Sequence, residues 1–536
     1  MRSIRTRAIV PLFSVLTALV LVSGFCGASV RAASPHPISG TLTQALNEDP
    51  KTLDPSKMSL ADEDTIALEI GASLVTVNPS GQIVPWLATS WVWSNGDKTI
   101  TFKIRPGVKF QASGKTMTAQ DIKATYERAL NPKTGSPVAA QELTGVKSIA
   151  APNASTLVFN LESPNGSFLM NISDAGYLQP IDPVQLKKYG AAYGLHPSSV
   201  GPYELKNWTP GVSVTLVRNP AYNWAPPFDD PGAPYIKTLV FQLIPQTSSQ
   251  VAAFNSGQLT LLTVAPQYWS QYQHNAKYNF FSVVDGRIGK LDFNLREPMF
   301  KDVRVRQAFS YSLNRAAIVR GALNGHGLPG WGPYPPNLIY FDKATNNAYP
   351  YNPKKAKQLM EAAGYQYNSA GWLMHNGQRV SLRLYVRNDG NYPLEGQIVQ
   401  ADLQAIGITT QISTYDFSTM ASMQTSGNFD LAVSGFAWAG ADPITVVQIE
   451  YQTKGGLNLE SYSDPTFDKM LSSYVDSTVP AQRQALAYQI QKYFVKNVPA
   501  VTFCYDLAAQ VAQKKIGGLV INPFTGALLL DNAYVK

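Results

Sequence analysis

A chain of 536 residues exceeds the size of one compact hydrophobic core, and it predicts two or three lobes. Hydrophobic residues make up 45% of the sequence and charged residues only 15%, a balance that excludes an intrinsically disordered protein. The formal net charge is +8, but the first 32 residues carry four Arg and no acids, so the rest of the chain has a net charge of only +4. This charge is mild and no run of five basic residues occurs, so nucleic acid is not an expected partner.

The first 32 residues have the pattern of an export signal. A basic start is followed by the short apolar run Pro11 to Val22 and by small residues up to Ala32, a suitable cleavage position. The run is too short to span a bilayer comfortably, so the mature protein is expected outside the cytoplasm. Lipidation at Cys26 is an alternative, because a bacterial lipoprotein is cut before a cysteine that follows small residues. The bulky Phe25 fits that pattern poorly.

The N-terminal half contains signals for hairpins and for one well-capped helix. Asn95-Gly96 stands between two alternating runs, which is a strong hairpin signature. Thr118 with Asp121 three residues later resembles a capping box and predicts a helix over "MTAQDIKATYERAL". Pro210-Gly211 separates two further runs that predict strands.

From about residue 300, predicted helices and strands alternate. Apolar residues near helical spacing predict a helix from about Val305 that ends at Gly325. Another helix is bracketed by Pro353 and Gly364, and a third ends at Gly407. The strand-like stretches "TTQISTY" and "FDLAVSGF" follow helices. This alternation predicts an α/β class with parallel strands.

The sequence lacks the common local motifs of catalysis and metal binding. It has no Gly-x-Ser-x-Gly elbow, no phosphate-binding P-loop, no His-Glu-x-x-His and no Cys-x-x-Cys. The five histidines are scattered, so neither a metal site nor a cofactor is predicted. Cys504 is the one cysteine certain to remain after leader removal, so no internal disulfide is expected. Missing motifs lower the expectation of an enzyme.

Several long motifs occur in order between about Leu42 and Gly518. They include "EDPKTLDP", "GQIVPWLATSWVWSNGDKTITFKIRPGVKF", "MTAQDIKATYERAL", "GPYELKNWTPGVSVTLVRNPAYN" and "FNLREPMFKDVRVRQAFSYSLNR". Together they resemble the extracytoplasmic solute-binding proteins of peptide/nickel ABC importers, family 5, which includes dipeptide- and oligopeptide-binding proteins. Most of the matching residues are expected to be structural. Asp302, Arg304 and Arg306 are expected to form a charge network at a helix start.

The resemblance implies an α/β, two-lobed periplasmic-binding-protein fold of type II, with an extra subdomain in the first lobe and a hinge cleft. The implied boundaries are 1–32 for the signal peptide, 33–290 for the first lobe including the extra subdomain at about 75–200, 291–503 for the second α/β lobe, and 504–536 for the return to the first lobe. The two hinge crossings are expected near Gly286–Asp292 and Val501–Leu507.

The segment "GFAWAGADP" (435–443) is expected to line the cleft. In peptide-binding relatives, the corresponding segment has an earlier Asp near the Trp, and that Asp pairs with the α-amino group of the peptide. Here the segment is two residues shorter, so Ala441 stands three residues after Trp438 and Asp442 directly precedes Pro443. Either Asp442 is a turn residue and free peptides are disfavoured, or the shortened loop moves Asp442 inward to hold a cationic group.

Further candidate ligand-binding residues come from the same resemblance. Arg387 follows a predicted second-lobe strand, as does the Arg that binds the peptide carboxylate in dipeptide binders. A solvated surface Arg is the alternative. Trp331 and Tyr334 lie on a Gly/Pro-rich loop that resembles the cleft-lining loop, and with Trp438 they offer stacking surfaces. Oligosaccharides and other uncharged solutes therefore stay open as ligands.

The expected function is the substrate-binding component of an ABC importer, which captures a peptide or similar small solute and delivers it to a membrane permease. We expect a monomer without enzymatic activity, located in the periplasm or at the cell surface. A secreted hydrolase acting on peptide-like substrates and a solute-sensing adaptor are the alternatives.

Overall fold

The computed structural model describes residues 36–436, 441–442 and 444–536. The predicted signal peptide with Cys26, and also Trp438 and Pro443, lie outside the described residues.

The strands are β1 (Ser39–Leu46), β2 (Val75–Val77), β3 (Ile83–Pro85), β4 (Ala88–Ser94), β5 (Thr99–Ile104), β6 (Val146–Asn153), β7 (Thr156–Leu161), β8 (Tyr203–Thr209), β9 (Ser213–Arg218), β10 (Ile236–Leu243), β11 (Leu261–Thr263), β12 (Tyr278–Phe293), β13 (Gly327–Pro329), β14 (Gln366–Tyr367), β15 (Leu373–His375), β16 (Gln378–Arg379), β17 (Ser381–Arg387), β18 (Thr409–Tyr415), β19 (Leu431–Phe436), β20 (Ala500–Gln513), β21 (Ile516–Gly517), β22 (Val520–Ile521), β23 (Leu528–Leu529) and β24 (Tyr534–Val535).

The α-helices are α1 (Ala61–Ile70), α2 (Ala119–Leu130), α3 (Ala139–Glu142), α4 (Phe168–Asn171), α5 (Pro183–Tyr189), α6 (Thr247–Asn255), α7 (Trp269–Tyr272), α8 (Pro298–Lys301), α9 (Val303–Ser312), α10 (Arg315–Ala322), α11 (Pro353–Ala362), α12 (Tyr392–Ala405), α13 (Phe417–Thr425), α14 (Ile444–Tyr451), α15 (Pro465–Asp476) and α16 (Pro480–Asn497). Short 3₁₀ helices cover Gly190–Leu195, Pro266–Tyr268 and Lys343–Thr345.

Three larger sheets organise these strands. Two are four-stranded, with the orders β1-β10-β9-β8 and β4-β5-β7-β6. The third runs β11-β20-β12-β19-β17-β18, and β13 also pairs with β20. Within it, β17 is parallel to both β18 and β19, which confirms the predicted parallel strands, whereas β12 and β20 are antiparallel to each other.

The buried apolar side chains form two groups of clusters. One group draws on residues 42–281 and 507–535 and packs beneath the two four-stranded sheets and β11. The other draws on residues 291–504 and packs around β17, β18, β19 and the helices that follow them. We call the parts of the chain around these groups the first lobe and the second lobe.

Strands β12 and β20 pass from one group of clusters to the other. They are 16 and 14 residues long and pair with each other from Tyr278↔Gln513 to Asp292↔Ala500. Their register shifts between Val284 and Ile288, and again after Gly289. Both segments expected to be hinge crossings lie on these two strands.

Two local predictions are confirmed in atomic detail. Asn95 and Gly96 have φ values of 54° and 60° between the antiparallel strands β4 and β5, the left-handed geometry that an Asn-Gly hairpin turn requires. The backbone N–H and the hydroxyl of Thr118 both donate to the Asp121 carboxylate, at 2.9 and 2.8 Å, at the start of α2.

The helix predicted from Val305 to Gly325 is wrong as one continuous element. The structure has α9 and α10 instead, because the Asn314 side chain accepts a hydrogen bond from the Ala317 N–H at 3.1 Å and starts a new helix. The expected charge network is also smaller. Asp302 caps α9 and pairs with Arg304, while the Arg306 guanidinium donates to backbone carbonyl groups that include those of Phe300, Asn497 and Val498.

Candidate functional site

The parallel strands of the second lobe end together at one edge of the large sheet. β17 ends at Arg387, which is paired in register with Tyr415 at the end of β18, and β19 ends at Phe436. The carboxyl ends of parallel strands in α/β sheets are where ligands usually bind. This edge is therefore the candidate site.

Arg387 is the last residue of β17, and its guanidinium is held by neighbouring side chains. It forms two hydrogen bonds to the Asp389 carboxylate at 2.6 and 2.9 Å, and its central carbon lies 4.6 Å from the Tyr392 ring centroid and 5.2 Å from that of Phe417. Asp389 is 53% exposed and lies only two residues away. A local, exposed ion pair of this kind contributes little stability, so a carboxylate from a solute could replace Asp389.

Arg287 is a second guanidinium at the same place, and the sequence did not identify it. It lies on β12 where the register shifts, and bonds Asp506 on β20 at 2.6 Å and Glu395 on α12 at 3.1 Å. Its central carbon is 4.3 Å from the Tyr392 ring centroid. Both Arg287 and Arg387 donate to the Tyr392 hydroxyl, at 3.3 and 3.4 Å. The two guanidinium groups therefore share one aromatic residue.

Burial and mutual contact shift the pKa values of Arg287 and Glu395. Burial raises the pKa of the Glu395 carboxyl group to about 7, although Arg287 lowers it. Burial disfavours the charged form of Arg287, but Glu395 and Asp506 outweigh that cost and raise the pKa of its guanidinium. Arg287 is therefore charged throughout the physiological range. No local pattern marks this isolated Arg in the sequence, because its partners are distant in the chain.

The acidic partners of Arg287 also form the one possible metal-ligand group among the described residues. Donor atoms of Glu395, Cys504 and Asp506 lie within 4.8 Å of one another. The Arg287 guanidinium already bonds both carboxylates and supplies the positive charge that a metal ion would bring. Burial also raises the pKa of the Cys504 thiol well above its ordinary value, which disfavours the thiolate that a metal needs.

Arg287, Arg387 and Tyr392 together form what we call the arginine cluster, and the segment 435–443 begins beside it. A Cβ added to Gly435 would lie 2.9 Å from the Tyr392 hydroxyl and 2.1 Å from the Ile288 carbonyl oxygen, so a side chain does not fit there. Trp438 lies outside the described residues, and Ala441 is buried. The predicted contact of Trp438 and Ala441 with a solute stays a prediction.

Asp442, at the other end of the segment, is buried and fully engaged. One carboxylate oxygen accepts hydrogen bonds from the Ile444 N–H at 3.1 Å and the Tyr474 hydroxyl at 2.9 Å. The other accepts from the Ser167 hydroxyl at 2.7 Å and pairs with the Arg483 guanidinium at 2.5 Å. The bond to Ile444 is the turn geometry expected of an Asp before Pro. This arrangement supports the first alternative, in which Asp442 holds no cationic group of a solute.

The two aromatic residues of the Gly/Pro loop pack against the second lobe and against β20. Trp331 is half-buried against the core of the second lobe, and its backbone N–H lies 3.4 Å from the hydroxyl of Tyr505 on β20. Tyr334 is completely buried, in the apolar cluster that contains Ile444 and Tyr474. Burial and the nearby Asp442 raise the pKa of the Tyr334 hydroxyl well above its ordinary value. In this conformation Tyr334 presents no surface to a solute.

No helix in the part of the chain that the structure describes has the length and apolar character needed to cross a membrane.

Sequence comparison relates the chain to known binding proteins. The family model described as "Bacterial extracellular solute-binding proteins, family 5 Middle" matches residues 82–458. The chain is 28% identical over 539 residues to the "Probable D,D-dipeptide-binding periplasmic protein DdpA" of Escherichia coli (strain K12), covering 97% of this chain and 98% of that protein. It is 25% identical over 492 residues to the glutathione-binding protein GsiB of Shigella dysenteriae serotype 1 (strain Sd197), covering 89% and 91%.

Structural comparison agrees on the architecture. The unliganded open form of the periplasmic murein tripeptide binding protein MppA matches with a TM-score of 0.80 at 20% identity, covering 94% of this chain and 99% of that chain. The oligopeptide-binding protein AppA of Bacillus subtilis, in complex with a nonapeptide, matches with a TM-score of 0.70 at 21% identity, covering 94% and 100%. The α/β, two-lobed fold that the sequence predicted is thus confirmed. Because the family model spans more than half of the 536 residues, the chain belongs to family 5 of the bacterial extracellular solute-binding proteins.

Proposed function

We propose that this protein captures a peptide-like solute bearing a carboxylate between its two lobes and delivers it to the membrane permease of an ABC importer. The observation that carries the proposal is the pair of guanidinium groups, Arg287 and Arg387, on one tyrosine at the carboxyl edge of the sheet. Relatives named for dipeptide and glutathione binding support the class of solute.

The geometry favours a solute carboxylate bound to Arg387. A guanidinium binds a carboxylate through two parallel hydrogen bonds, and Asp389 already engages Arg387 in that way. Asp442 is neutralised by Arg483, so it does not select for the α-ammonium group of a free peptide. We therefore expect solutes with a blocked or absent ammonium group to bind at least as well as free peptides.

The organisation of the chain is part of the proposal. The division of the apolar clusters supports the boundaries 33–290 and 504–536 for the first lobe and 291–503 for the second. Membership in an extracellular family supports removal of residues 1–32 as a signal peptide. A monomeric state is also part of the proposal. Lipid attachment at Cys26 is the alternative to cleavage after Ala32, because a lipoprotein leader is cut before its cysteine, which then stays in the mature chain.

A thermal-shift screen tests the function. The protein is screened against peptides, N-acetylated peptides, oligosaccharides, opines and nickel chelates, because a ligand that binds the folded state raises the melting temperature. Stabilisation by carboxylate-bearing solutes is expected. Stabilisation by oligosaccharides alone would contradict the proposal, and hydrolysis of a bound peptide, detected by mass spectrometry, would favour the hydrolase.

Replacing Arg387 with alanine is expected to weaken binding of a carboxylate-bearing solute at least tenfold. Hydrogen bonds to charged groups contribute about 1.5–3 kcal/mol each, and about 1.4 kcal/mol corresponds to tenfold in affinity. Titration calorimetry compares Arg387→Ala with Arg379→Ala. Arg379 is an exposed arginine eight residues earlier, about 26 Å away along extended chain.

Amidating the solute carboxylate completes this test. The amidated solute should bind the unmodified protein weakly, and Arg387→Ala should weaken it little further, because both changes remove the same interaction. Unchanged affinity of Arg387→Ala for the acid, with Arg379→Ala equally unaffected, would show that the carboxylate is bound elsewhere.

A further inference from the structure

The two lobes touch at a place remote in sequence from the β12–β20 crossing. Gly166 and Ser167 of the first lobe contact Val475, Asp442 and Arg483 of the second, and Tyr474 bonds Asp442. We call these six residues the interlobe junction. The Gly166 N–H donates to the Val475 carbonyl oxygen at 2.7 Å. The Ser167 hydroxyl donates to Asp442 at 2.7 Å and accepts from Arg483 at 3.0 Å.

The junction requires a glycine because the two backbones approach closely. A Cβ added to Gly166 would lie 1.8 Å from the Ser477 carbonyl oxygen and 2.2 Å from the nearer terminal nitrogen of Arg483. That nitrogen itself donates to the carbonyl oxygen of Tyr474 at 3.0 Å and of Ser477 at 3.2 Å, so it cannot move aside without losing both bonds. A second contact lies nearby, where the Thr478 hydroxyl donates to Asp97 of the first lobe at 2.5 Å.

The junction contains Asp442, which lies near the end of the segment 435–443. The segment 435–443 starts at Gly435 beside Tyr392 and the arginine cluster, and Asp442 fixes its other end. Asp442, Tyr474 and Arg483 all belong to the second lobe, so their mutual bonds survive separation of the lobes. The bonds of Ser167 do not survive it.

We propose that the interlobe junction sets the balance between lobes in contact and lobes apart, and that Ser167 is the positioning residue that joins Asp442 to the first lobe. Lobe contact removes water from the Asp442–Arg483 pair, and Ser167 replaces that water with one donated and one accepted hydrogen bond. The contribution to solute affinity rests on the proposed function, whereas the lobe balance is a property of the protein without solute.

Spin-label distance measurements on solute-free protein test the junction. The protein used comprises residues 33–536, in which the one native cysteine, Cys504, is buried. Labels are attached at two exposed positions, Val184→Cys in the first lobe and Tyr351→Cys in the second. Ser167→Ala should raise the ratio of separated to touching lobes about tenfold, the effect of about 1.4 kcal/mol. Gly166→Ala should shift it further, because its methyl group has no space.

Gly456→Ala is the matched control, since a Cβ at Gly456 meets no atom within 4 Å and should leave the distances unchanged. Circular dichroism identifies variants that fail to fold. If Gly166→Ala fails to fold, Ser167→Ala alone tests the inference. Distances unchanged in folded Ser167→Ala, or lobes already apart in the unmodified protein, would overturn the inference. Because no solute is present, these outcomes are independent of the Arg387 experiment.

Discussion

Asp442→Asn is expected to lower the free energy of unfolding by about 3 kcal/mol or more, because it leaves the Arg483 guanidinium buried without a counter-charge. The side chains of Asp442 and Arg483 are only 5% and 6% exposed. Asparagine has nearly the same shape, so loss of charge is the main change. Its amide group would also present donors to the donors of Ser167, Tyr474 or Arg483.

An exposed pair of almost the same length is the control for this prediction. Arg387 and Asp389 approach to 2.6 Å, compared with 2.5 Å for Arg483 and Asp442, but Asp389 is 53% exposed. Asp389→Asn should therefore cost less than about 1 kcal/mol in urea unfolding.

Asp442→Asn also decides whether Asp442 is a turn residue or holds a cationic group of the solute. Unchanged stability in Asp442→Asn together with loss of solute binding would show that Asp442 holds a cationic group of the solute. In a double-mutant cycle with Arg483→Met, the double variant should lose much less free energy of unfolding than the sum of the two single variants, because each substitution removes the same ion pair.

The second large effect is expected at Lys290, whose ammonium group binds three buried carboxylates. Its nitrogen lies 2.8 Å from Asp292 and 2.9 Å from both Glu450 and Glu460, and these four side chains are at most 2% exposed. Burial lowers the pKa of Lys290, but the three acids reverse this and raise it well above its ordinary value. Lys290→Met should cost about 3–5 kcal/mol at neutral pH, because it leaves several buried acids unpaired.

The sign of the pH dependence follows from the excess of acids over bases in this cluster. Burial raises the pKa of Glu460 to about 8 and that of Glu450 well above its ordinary value, while Lys290 opposes both shifts and Asp292 adds to them. Tyr451 also faces the cluster. Between about pH 4.5 and 8 the Glu460 carboxyl group thus binds more protons in the folded protein than in the unfolded chain, so its contribution to the free energy of unfolding falls as pH rises.

Urea unfolding at several pH values checks this dependence. Glu460→Gln should flatten the decline between about pH 5 and 8, whereas Glu361→Gln, at an exposed position of the same lobe, should leave it unchanged. Lys290→Met should recover stability toward pH 5, because Glu450 and Glu460 stay protonated in the folded state while the glutamates of the unfolded chain also become protonated there. Equal pH dependence in Glu460→Gln and the unmodified protein would contradict the assignment.

The sequence predicted the features whose determinants are local. The turn at Asn95-Gly96 and the cap between Thr118 and Asp121 need only neighbouring residues, and both are present. The break between α9 and α10 was missed, because the apolar spacing continues across Asn314 and its capping bond opposes that pattern. Propensity therefore predicted the helical residues but not their division.

The candidate site was harder to predict, because its partners are distant in the chain. Asp442 bonds Ser167, 275 residues away, and Arg483, 41 residues away, and neither separation has a local signature. Arg287 meets Asp506 only because β12 and β20 pair at that point. Tyr334 was expected to offer a stacking surface on a Gly/Pro loop, but its side chain packs into the helical core of the second lobe.

The pairing of β12 with β20 limits how the lobes can move. Since hydrogen bonds join the two strands on both sides of the register shift, neither strand can bend there without the other. The two chain crossings thus behave as one ribbon, and a ribbon bends readily across its face but resists bending in its own plane. We therefore expect the lobes to move relative to each other mainly by bending of this ribbon across its face.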